Sequence, residues 1–420
     1  MGDVLAPYRR LLTLPGAFAF ASSGLLARVP MAMFNISLIL MVQIQYDSYE
    51  MAGRVAAVGV LVWGLQTVPT ARLVDRWGQR RAMIPLTVLF VVGAAMAIWT
   101  AMTLGPEWML WLSVAIASVS GPLGSLTRAR WSHLLKTDQE IHTAFALEGS
   151  LDEVLFIGGP ALATVLATVI WPPLGLIVCT VAMLVGITFL LSQTSTQPPT
   201  RGVTGGASLG IRIPAAVLAV TLISLGLGLM FGAIDISAVG FADEHGLKKI
   251  AGVLIAALAA GSFVGGLLYG ARRWRTPLWL RTVIGTLAVA VGFGLLALAP
   301  DLFWFGIIGF VAGATIAPTM TNADAVVQRV VGRDQITEGM AWVRIGIGIG
   351  VAAGAWGAGY LLDHHGARWG LYLAAASGIL TFLIAVATIP LLKRGTAGHD
   401  ESEADPRPEA LVDHPPVPHP

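Results

Sequence analysis

The chain has 420 residues, of which 55% are hydrophobic and only 12% are charged, with a formal net charge of +2. Soluble domains carry about twice that fraction of charged residues, so the composition excludes an ordinary soluble domain. The single cysteine excludes an internal disulfide, and the absence of a GxxxxGK[ST] sequence excludes a Walker-type ATP site.

Long apolar stretches recur from residue 14 to residue 392, and a membrane helix needs about 20 such residues. Arg9 and Arg10 precede the first stretch, which is too long for a signal peptide, so we predict an uncleaved first helix. The predicted membrane helices cover residues 14–42, 51–71, 82–104, 107–128, 143–170, 174–192, 213–240, 249–271, 281–300, 302–331, 339–362 and 369–392. Twelve passes place both chain ends on the same side of the membrane.

The basic residues are divided unequally between the two sides of these helices. Of the 26 Lys and Arg residues, 20 fall on the side that carries the chain ends, four fall on the opposite side, and Arg28 and Arg344 fall inside helices. Because cytoplasmic loops carry the excess of positive charge, we expect both termini in the cytoplasm and the protein in the plasma (inner) membrane.

Composition also divides the chain into regions. Residues 193–212 are rich in Pro, Gly and Thr, and we predict that they form a cytoplasmic linker between a six-helix bundle at 1–192 and a second at 213–394. Residues 395–420 are rich in Pro, Asp, Glu and His, and we predict that they form a disordered cytoplasmic tail.

The two predicted bundles resemble each other. Three pairs of residues are each separated by 196 positions, namely Pro122 and Pro318, Arg128 and Asp324, and Glu148 and Arg344. Internal repeats are common in secondary transporters, which bind substrate between the repeats near the membrane midplane. The repeat therefore indicates a transporter.

The stretch Ala71-Arg-Leu-Val-Asp-Arg-Trp-Gly-Gln-Arg-Arg81 resembles the G-x-L-x-D-R-x-G-R-R signature of the major facilitator superfamily. It lies between the second and third predicted helices, where that family carries it, and a degenerate copy at 266–274 follows the eighth helix. Ala71 and Gln79 depart from the signature. The resemblance implies an all-α membrane fold of two pseudo-symmetric six-helix bundles that work by alternating access.

The same resemblance implies a gate. In the family, the aspartate that matches Asp75 lies near the cytoplasmic start of the eleventh helix, and a helix N-terminus favours a carboxylate. Asp75, with Arg76, Arg80 and Arg81, is therefore expected to hold the cytoplasmic side shut. The alternative is that these arginines only set the topology and contact anionic lipid headgroups.

The repeat predicts two ion pairs. Arg128 and Glu148 become Asp324 and Arg344 at the same offset, so the polarity is swapped while opposite signs are kept. Lone charges in hydrocarbon are costly, so we expect the pairs Arg128–Glu148 and Asp324–Arg344 to brace a cytoplasmic gate. The alternative is that each side chain snorkels to water.

Four intramembrane charges have no counterpart in the repeat: Arg28, Asp152, Glu153 and Asp235. We expect Arg28 to face a central cavity, with Asp152 or Glu153 as its counter-charge. A buried carboxylate beside a cation can exchange a proton near neutral pH, so one of these two is the predicted proton carrier. The alternative is a permanent structural ion pair.

Three further residues are weaker candidates for substrate contact. Asp235 is predicted nearer the outer face, where it either belongs to the site or only meets water. Asn35 follows Arg28 and Pro30, and Pro30 is expected to kink the first helix at the site. Asn322 in the tenth helix is expected either to contact substrate or to hydrogen-bond within its bundle.

Together these patterns predict a secondary active transporter of a small organic solute, with proton-coupled efflux as the first hypothesis. Proton-coupled uptake of a polar or anionic solute is the second, and a non-transporting membrane sensor or scaffold is the alternative of another class. An enzyme is not predicted, because no nucleophile–base or metal-ligand cluster stands out. We expect a monomer in the lipid bilayer, with no cofactor, no metal and no nucleic-acid partner.

Overall fold

The computed structural model describes residues 6–199 and 214–404, except for Ala271, Arg273, Arg275 and residues 332–335. Most of the predicted linker and residues 405–420 of the predicted tail lie outside the described residues. Within the described ranges, every regular element is a helix.

Six membrane helices form the N-terminal half, after a short helix at Ala6–Leu12. Helix α1 covers Ala17–Ala27 and Val29–Tyr46. Helices α2 (49–77) and α3 (79–102) are the two parts of Tyr49–Met102. The half is completed by α4, which comprises Glu107–Ser118 and Leu123–Leu134, by α5 at Asp138–Val165 with a π-helical turn at Leu166–Ile170, and by α6 at Leu174–Ser192.

The C-terminal half repeats this arrangement. Its helices are α7 at Ala215–Glu244, α8 at Ala251–Gly270, α9 at Leu278–Leu296, α10 with the two parts Leu302–Gly313 and Ile316–Val330, α11 at Ile336–His365 and α12 at Ala367–Ala387. A last helix, Ile389–Ala404, follows α12.

Eleven helical segments of the described chain are long and apolar enough to cross a membrane, and α2 completes the twelve-helix arrangement. These helices lie side by side around two buried apolar clusters, a larger one with residues from both halves and a smaller one in the N-terminal half. The predicted all-α membrane fold is therefore confirmed. We call the side that carries the chain ends the terminal side and the opposite side the far side.

The helix breaks have local causes. Gly78 separates α2 from α3 because its φ of 79° is a left-handed conformation that glycine adopts without strain, and the rest of the loop predicted at 72–81 is helical. Gly121, with φ of 80°, and Pro122 interrupt α4. Pro30 has no backbone N–H, and α1 restarts at this point after Arg28.

The predicted tail begins too early. The chain remains helical to Ala404, beyond the predicted start of the disordered tail at residue 395. Gly395 lies against Ala216 and Val330, and the buried Thr396 hydroxyl donates to the Leu392 carbonyl at 3.0 Å. Contact with the C-terminal bundle thus extends the helix past the last apolar residues.

The two halves approach most closely near the far side. A Cβ on Gly53 of α2 would lie 2.3 Å from the carbonyl oxygen of Ala355 in α11, and one on Gly359 would lie 2.4 Å from that of Tyr49. A Cβ on Gly252 of α8 would lie 2.2 Å from the Pro160 carbonyl of α5. Small residues allow such close helix packing, so the far side of the molecule is closed.

Candidate functional site

The break in α1 positions the central arginine. Arg28 has φ −87° and ψ −5°, and its Nε donates to the Gly24 carbonyl at 3.2 Å. This contact directs the guanidinium back toward the terminal side, into the N-terminal bundle. Arg28 has no exposed surface, so the prediction that it faces a central cavity is wrong for this conformation.

Glu148 of α5 is the closest partner of Arg28. Its Oε2 forms an ion pair with Arg28 Nη2 and accepts from the Thr127 hydroxyl at 3.2 Å, while its Oε1 accepts from Trp131 Nε1 at 2.7 Å. Glu148 has no exposed surface either. Arg28 lies 11 residues into α1 and Glu148 10 residues into α5, so both lie about 15 Å from the terminal ends of their helices.

Asp152 lies one helical turn after Glu148 and connects two arginines. Its Oδ1 is 2.9 Å from Arg28 Nη1, and its Oδ2 accepts from Arg128 Nη2 at 3.2 Å. The sequence predicted Asp152 or Glu153 as the counter-charge of Arg28, and the structure places Asp152 there, with Glu148. We call Arg28, Glu148, Asp152 and Arg128 the charge chain; its formal charges sum to zero.

The predicted pair Arg128–Glu148 is wrong. Side chains on a helix point toward its start, so Arg128 of α4 points away from the terminal side and reaches Asp152. Arg28 of α1 lies at the same depth as Glu148 and forms the ion pair with it instead. The partners therefore differ from the prediction, although each residue is paired with the opposite sign.

The exposure of the charge chain increases toward one end. Arg28 and Glu148 are fully buried, the Asp152 side chain is 17% exposed and the Arg128 side chain is 40% exposed. Glu153, next to Asp152, is half-buried and makes no hydrogen bond or ion pair with any described residue. Asp152 and Glu153 are thus the partly exposed carboxylates of this region.

Asn35 and Asp235 meet where the two halves face each other. Asn35 Nδ2 of α1 donates to Asp235 Oδ2 of α7 at 3.4 Å, and both residues are half-buried. One alternative from the sequence was that Asp235 only meets water at the outer face, but the structure places it against Asn35. These two side chains are the candidate substrate contacts that bridge the halves.

Asn322 is placed elsewhere. Its Nδ2 donates to the Arg281 carbonyl at 3.2 Å, its Oδ1 accepts from the Tyr269 hydroxyl at 2.5 Å, and the residue is 2% exposed. Both ends of its amide are therefore used inside the C-terminal bundle. The geometry favours the predicted structural alternative over a substrate contact.

The second predicted ion pair is present but loose. Arg344 Nη2 of α11 lies 3.8 Å from Asp324 Oδ2 of α10, and the side chains are 52% and 29% exposed. Exposed pairs contribute little to stability. This pair thus differs in character from the buried charge chain of the other half.

Within the described residues, the charged side chains Asp75, Arg76, Arg80 and Arg81 of the signature segment form no hydrogen bond or ion pair across the halves. Asp75, Arg76, Arg80 and Arg81 are exposed, and none makes a hydrogen bond or ion pair with another described residue. Gln79, which departs from the signature, is buried between α3 and α4. Its Nε2 donates to the Leu126 carbonyl at 3.0 Å and its Oε1 accepts from Arg130 Nε at 2.8 Å, so Arg130 supplies the positive charge nearby.

A far-side cluster joins the halves instead. Asp363, at the end of α11, accepts from the backbone N–H groups of Tyr49 and Glu50 at 2.9 and 2.7 Å and from the Ser48 hydroxyl at 2.8 Å. A carboxylate of one half thus caps the start of α2 in the other half. We call this contact the far-side cap. No pattern in the sequence indicated this contact, because Asp363 has the position of an ordinary residue at a helix end.

Two further contacts reinforce the far-side cap. The Tyr49 hydroxyl donates to Asp243 Oδ2 at 2.6 Å. Lys248 Nζ lies 2.7 Å from the same oxygen and donates to Gln43 Oε1 at 2.6 Å. Helices α1 and α2 of one half are therefore held to α7 and the start of α8 of the other.

Trp131 and Thr127 were also missed by sequence reasoning. They lie one turn apart on α4 and supply two of the donors to Glu148. The available signal was Glu148 itself, because a carboxylate within an apolar helix requires donors from neighbouring helices. The i, i+4 spacing of Thr127 and Trp131 on the preceding helix meets that requirement.

The sequence comparison decides the family. The model for the Major Facilitator Superfamily matches residues 20–289 and 281–417. The chain belongs to the major facilitator superfamily. No curated protein matches it closely enough in sequence to refine this assignment.

Solved structures of this fold are similar over most of the chain. A bacterial homologue of the iron transporter ferroportin, in an inward-facing state, is 12% identical with a TM-score of 0.67, and the match covers 90% of this chain and 99% of that one. The nucleoside transporter NupG is 13% identical with a TM-score of 0.69, covering 90% and 98%. A POT family transporter in complex with 5-aminolevulinic acid is 12% identical with a TM-score of 0.68, covering 90% and 96%. At this identity the similarity shows the fold of a major facilitator superfamily transporter.

Proposed function

We propose that this superfamily member moves a small organic solute across the plasma membrane by alternating access, as a proton-coupled exporter. In the proposed orientation the terminal side is cytoplasmic, because it carries most of the basic residues. The far side then faces out, and the described conformation is closed to the outside.

The far-side cap is the observation that carries the alternating-access proposal. It consists of hydrogen bonds and close helix contacts between the two halves. Such contacts can separate without disrupting either bundle. On the opposite side, Asp75, Arg76, Arg80 and Arg81 make no hydrogen bond or ion pair with another described residue, which supports a conformation that is closed on one side and released on the other.

Proton coupling is proposed for Asp152, with Glu153 as its neighbour. Asp152 is held between Arg28 and Arg128 but keeps some exposed surface. Protonation would release Arg128 and weaken one contact of Arg28, which changes the packing of α1 against α4 and α5. Because α1 also carries Asn35, this change reaches the contact between the halves.

A neutral or cationic solute is favoured over an anionic one by the state of Arg28. Its charge is already neutralised by Glu148 and Asp152, and it has no exposed surface with which to bind an anion. The accessible polar groups between the halves are Asn35 and Asp235, which suit a neutral or cationic compound. We therefore propose an amphipathic compound that is neutral or cationic as the first candidate substrate.

Two measurements test the proposal. In a Cys179→Ser background, nitroxide labels at Trp108→Cys and Leu298→Cys report the separation of the halves at the far side, where both native side chains are exposed. Asp363→Ala should populate a longer distance, whereas Asp301→Ala, which removes a similar cap of α10 within one half, should not. If the distance between the labels is the same in the wild type and both variants at every pH, the result would instead support a non-transporting scaffold.

The second measurement is transport itself. Proteoliposomes with an imposed pH gradient are screened with neutral, cationic and anionic compounds. Accumulation of a neutral or cationic compound only when the lumen is more acidic than the outside supports the exporter, because an antiporter takes up solute as protons leave; accumulation only when the outside is more acidic would indicate proton-coupled uptake. Exclusive transport of anions would reject the assignment of substrate class.

A further inference from the structure

The Asp235 carboxylate of α7 lies at membrane depth without a positive partner. It is 20 residues from the terminal-side start of α7 and nine from the far-side end, which correspond to about 30 and 14 Å along the helix. Among the described residues, Asn35 is its only hydrogen-bond partner, and none forms an ion pair with it. A lone charge at this depth is costly, so a positive group from a bound molecule would stabilise the carboxylate.

Lys248 does not supply that positive group, because it is already paired. Its Nζ lies 2.7 Å from Asp243 Oδ2 and donates to Gln43 Oε1 at 2.6 Å. These two partners lie on the same helices as Asn35 and Asp235, eight residues and about 12 Å closer to the far side. Helices α1 and α7 are therefore joined at two levels, a charge-paired level at the far side and a deeper level whose charge is unpaired.

The terminal-side neighbours of the deeper level are apolar. One helical turn before Asn35, Met31 of α1 is 39% exposed, and one turn before Asp235, Phe231 of α7 is half-buried. Residues four apart lie on the same helix face, so each apolar side chain is next to its polar neighbour. Methionine adapts to irregular apolar groups, and an aromatic face attracts cations. A ligand that matches this order has a positive group attached to an apolar body.

We propose that Asp235 determines the specificity of the substrate site by binding the positive group of a lipophilic organic cation, whose apolar body contacts Met31 and Phe231. This inference rests on the proposed function and deepens it, because it limits the substrate to one sign of charge and assigns that preference to one carboxylate. One carboxylate and one amide suit an organic cation better than a divalent metal ion, which takes about six oxygen ligands.

Binding at Asp235 also affects the closure of the far side. The Asn35 amide is a neutral donor at 3.4 Å, whereas a cation forms a charge-assisted contact with the same carboxylate, which is roughly twice as strong. The cation therefore displaces Asn35 and separates α1 from α7 at the deeper level. The substrate itself thus favours opening of the far side.

The test measures equilibrium binding of tritiated 1-methyl-4-phenylpyridinium to the purified, detergent-solubilised full chain by scintillation proximity. Unlabelled tetraphenylphosphonium, a larger cation of fixed charge, should compete with the labelled probe. The neutral isostere of the probe, 4-methylbiphenyl, should compete at least about tenfold more weakly. Absence of saturable binding, or equal competition by the neutral isostere, would overturn the proposal.

Variants assign the charge contact. Asp235→Asn removes the charge and keeps the shape, so the affinity for the labelled cation should decrease about tenfold or more, and Asp235→Glu should restore most of it. Asp301→Asn, which removes a carboxylate that caps α10 at the far side, should bind like the wild type. Thermal unfolding in ligand-free detergent verifies folding. If Asp235→Asn binds the cation as tightly as Asp301→Asn, the site is rejected.

The far-side labels at Trp108→Cys and Leu298→Cys test the displacement of Asn35. Addition of 1-methyl-4-phenylpyridinium should increase the longer-distance population in the wild type and in Asp301→Asn, and should leave it unchanged in Asp235→Asn. An equal response in the wild type and Asp235→Asn would overturn the link between cation binding and opening.

The outcomes separate this inference from the proposed function. Cation binding that depends on Asp235, without transport driven by a pH gradient, would retain the site and reject the exporter. Gradient-driven transport of the cation that is unchanged in Asp235→Asn would retain the exporter and reject the site.

Discussion

The two halves of the molecule use the same repeat positions differently. In the N-terminal half, Arg128 and Glu148 do not pair with each other. Each is paired with another member of the charge chain, Glu148 with Arg28 and Arg128 with Asp152. In the C-terminal half, the repeat-related Asp324 and Arg344 pair directly, loosely and with exposed surface. One half therefore contains a buried, branched charge network, and the other contains a simple ion pair.

The residues at the repeat-related positions of Arg28 and Asp152 explain this difference. Ser224 and Gly348 stand 196 positions after Arg28 and Asp152, so the C-terminal half lacks the second arginine and the second carboxylate. Without them, Asp324 and Arg344 have no competing partners. Arg28 and Asp152 therefore have no ionisable counterpart in the C-terminal half, which is why we propose the proton-coupled role for the N-terminal half.

The largest expected effect is loss of stability in Glu148→Gln. This change leaves Arg28 fully buried with only Asp152, which it shares with Arg128, and breaking a buried pair costs about 3–5 kcal/mol. Thermal unfolding in detergent should therefore show a large decrease in midpoint. The matched control, Arg344→Gln at the repeat-related position, should shift the midpoint little; equal shifts would contradict the comparison.

A smaller loss is expected for Trp131→Phe. It removes one charge-assisted hydrogen bond to Glu148, a contact worth about 1.5–3 kcal/mol. Because Trp131 also packs against Phe20, a cavity will add to the measured change. The double variant Trp131→Phe, Glu148→Gln separates the two contributions, and strictly additive unfolding free energies would show that the hydrogen bond is not coupled to the network.

The smallest effect is expected at the C-terminal pair. Asp324→Asn should cost no more than about 1 kcal/mol, because the pair is partly exposed and 3.8 Å apart. Exchanging the residues, as Asp324→Arg with Arg344→Asp, should give a midpoint closer to wild type than either neutralisation alone. If the exchange is no better than Asp324→Asn or Arg344→Gln, the pair does not contribute.

Much of the architecture was predictable because membrane helices require long apolar stretches and basic residues mark the connections. The pairing of Arg28 with Asp152 was predictable for a similar reason, since a charge within hydrocarbon requires a counter-charge at reachable depth. Glu148 was assigned the wrong partner because the repeat suggested a symmetric solution. The sequence does not show that Arg28 of α1 lies at the same depth as Glu148 and pairs with it in place of Arg128.

The far-side cap could not be predicted from sequence. Asp363, Ser48 and Tyr49 are far apart along the chain, and each belongs to a loop or helix end whose polar residues usually face water. Only the packing of α2 against α11 brings them together. Conversely, the signature segment predicted a gate on the terminal side, but its charged residues form no hydrogen bond or ion pair with another described residue in this conformation, in which the far side is closed.

The most direct test of the proton-coupled account is the pH dependence of the far-side distance between labels at Trp108→Cys and Leu298→Cys. If Asp152 couples protonation to opening, lowering the pH should increase the longer-distance population, because a protonated Asp152 releases its two arginines. Asp152→Asn should abolish this dependence, and Asp324→Asn should retain it. A pH dependence that is the same in wild type and Asp152→Asn would contradict the account.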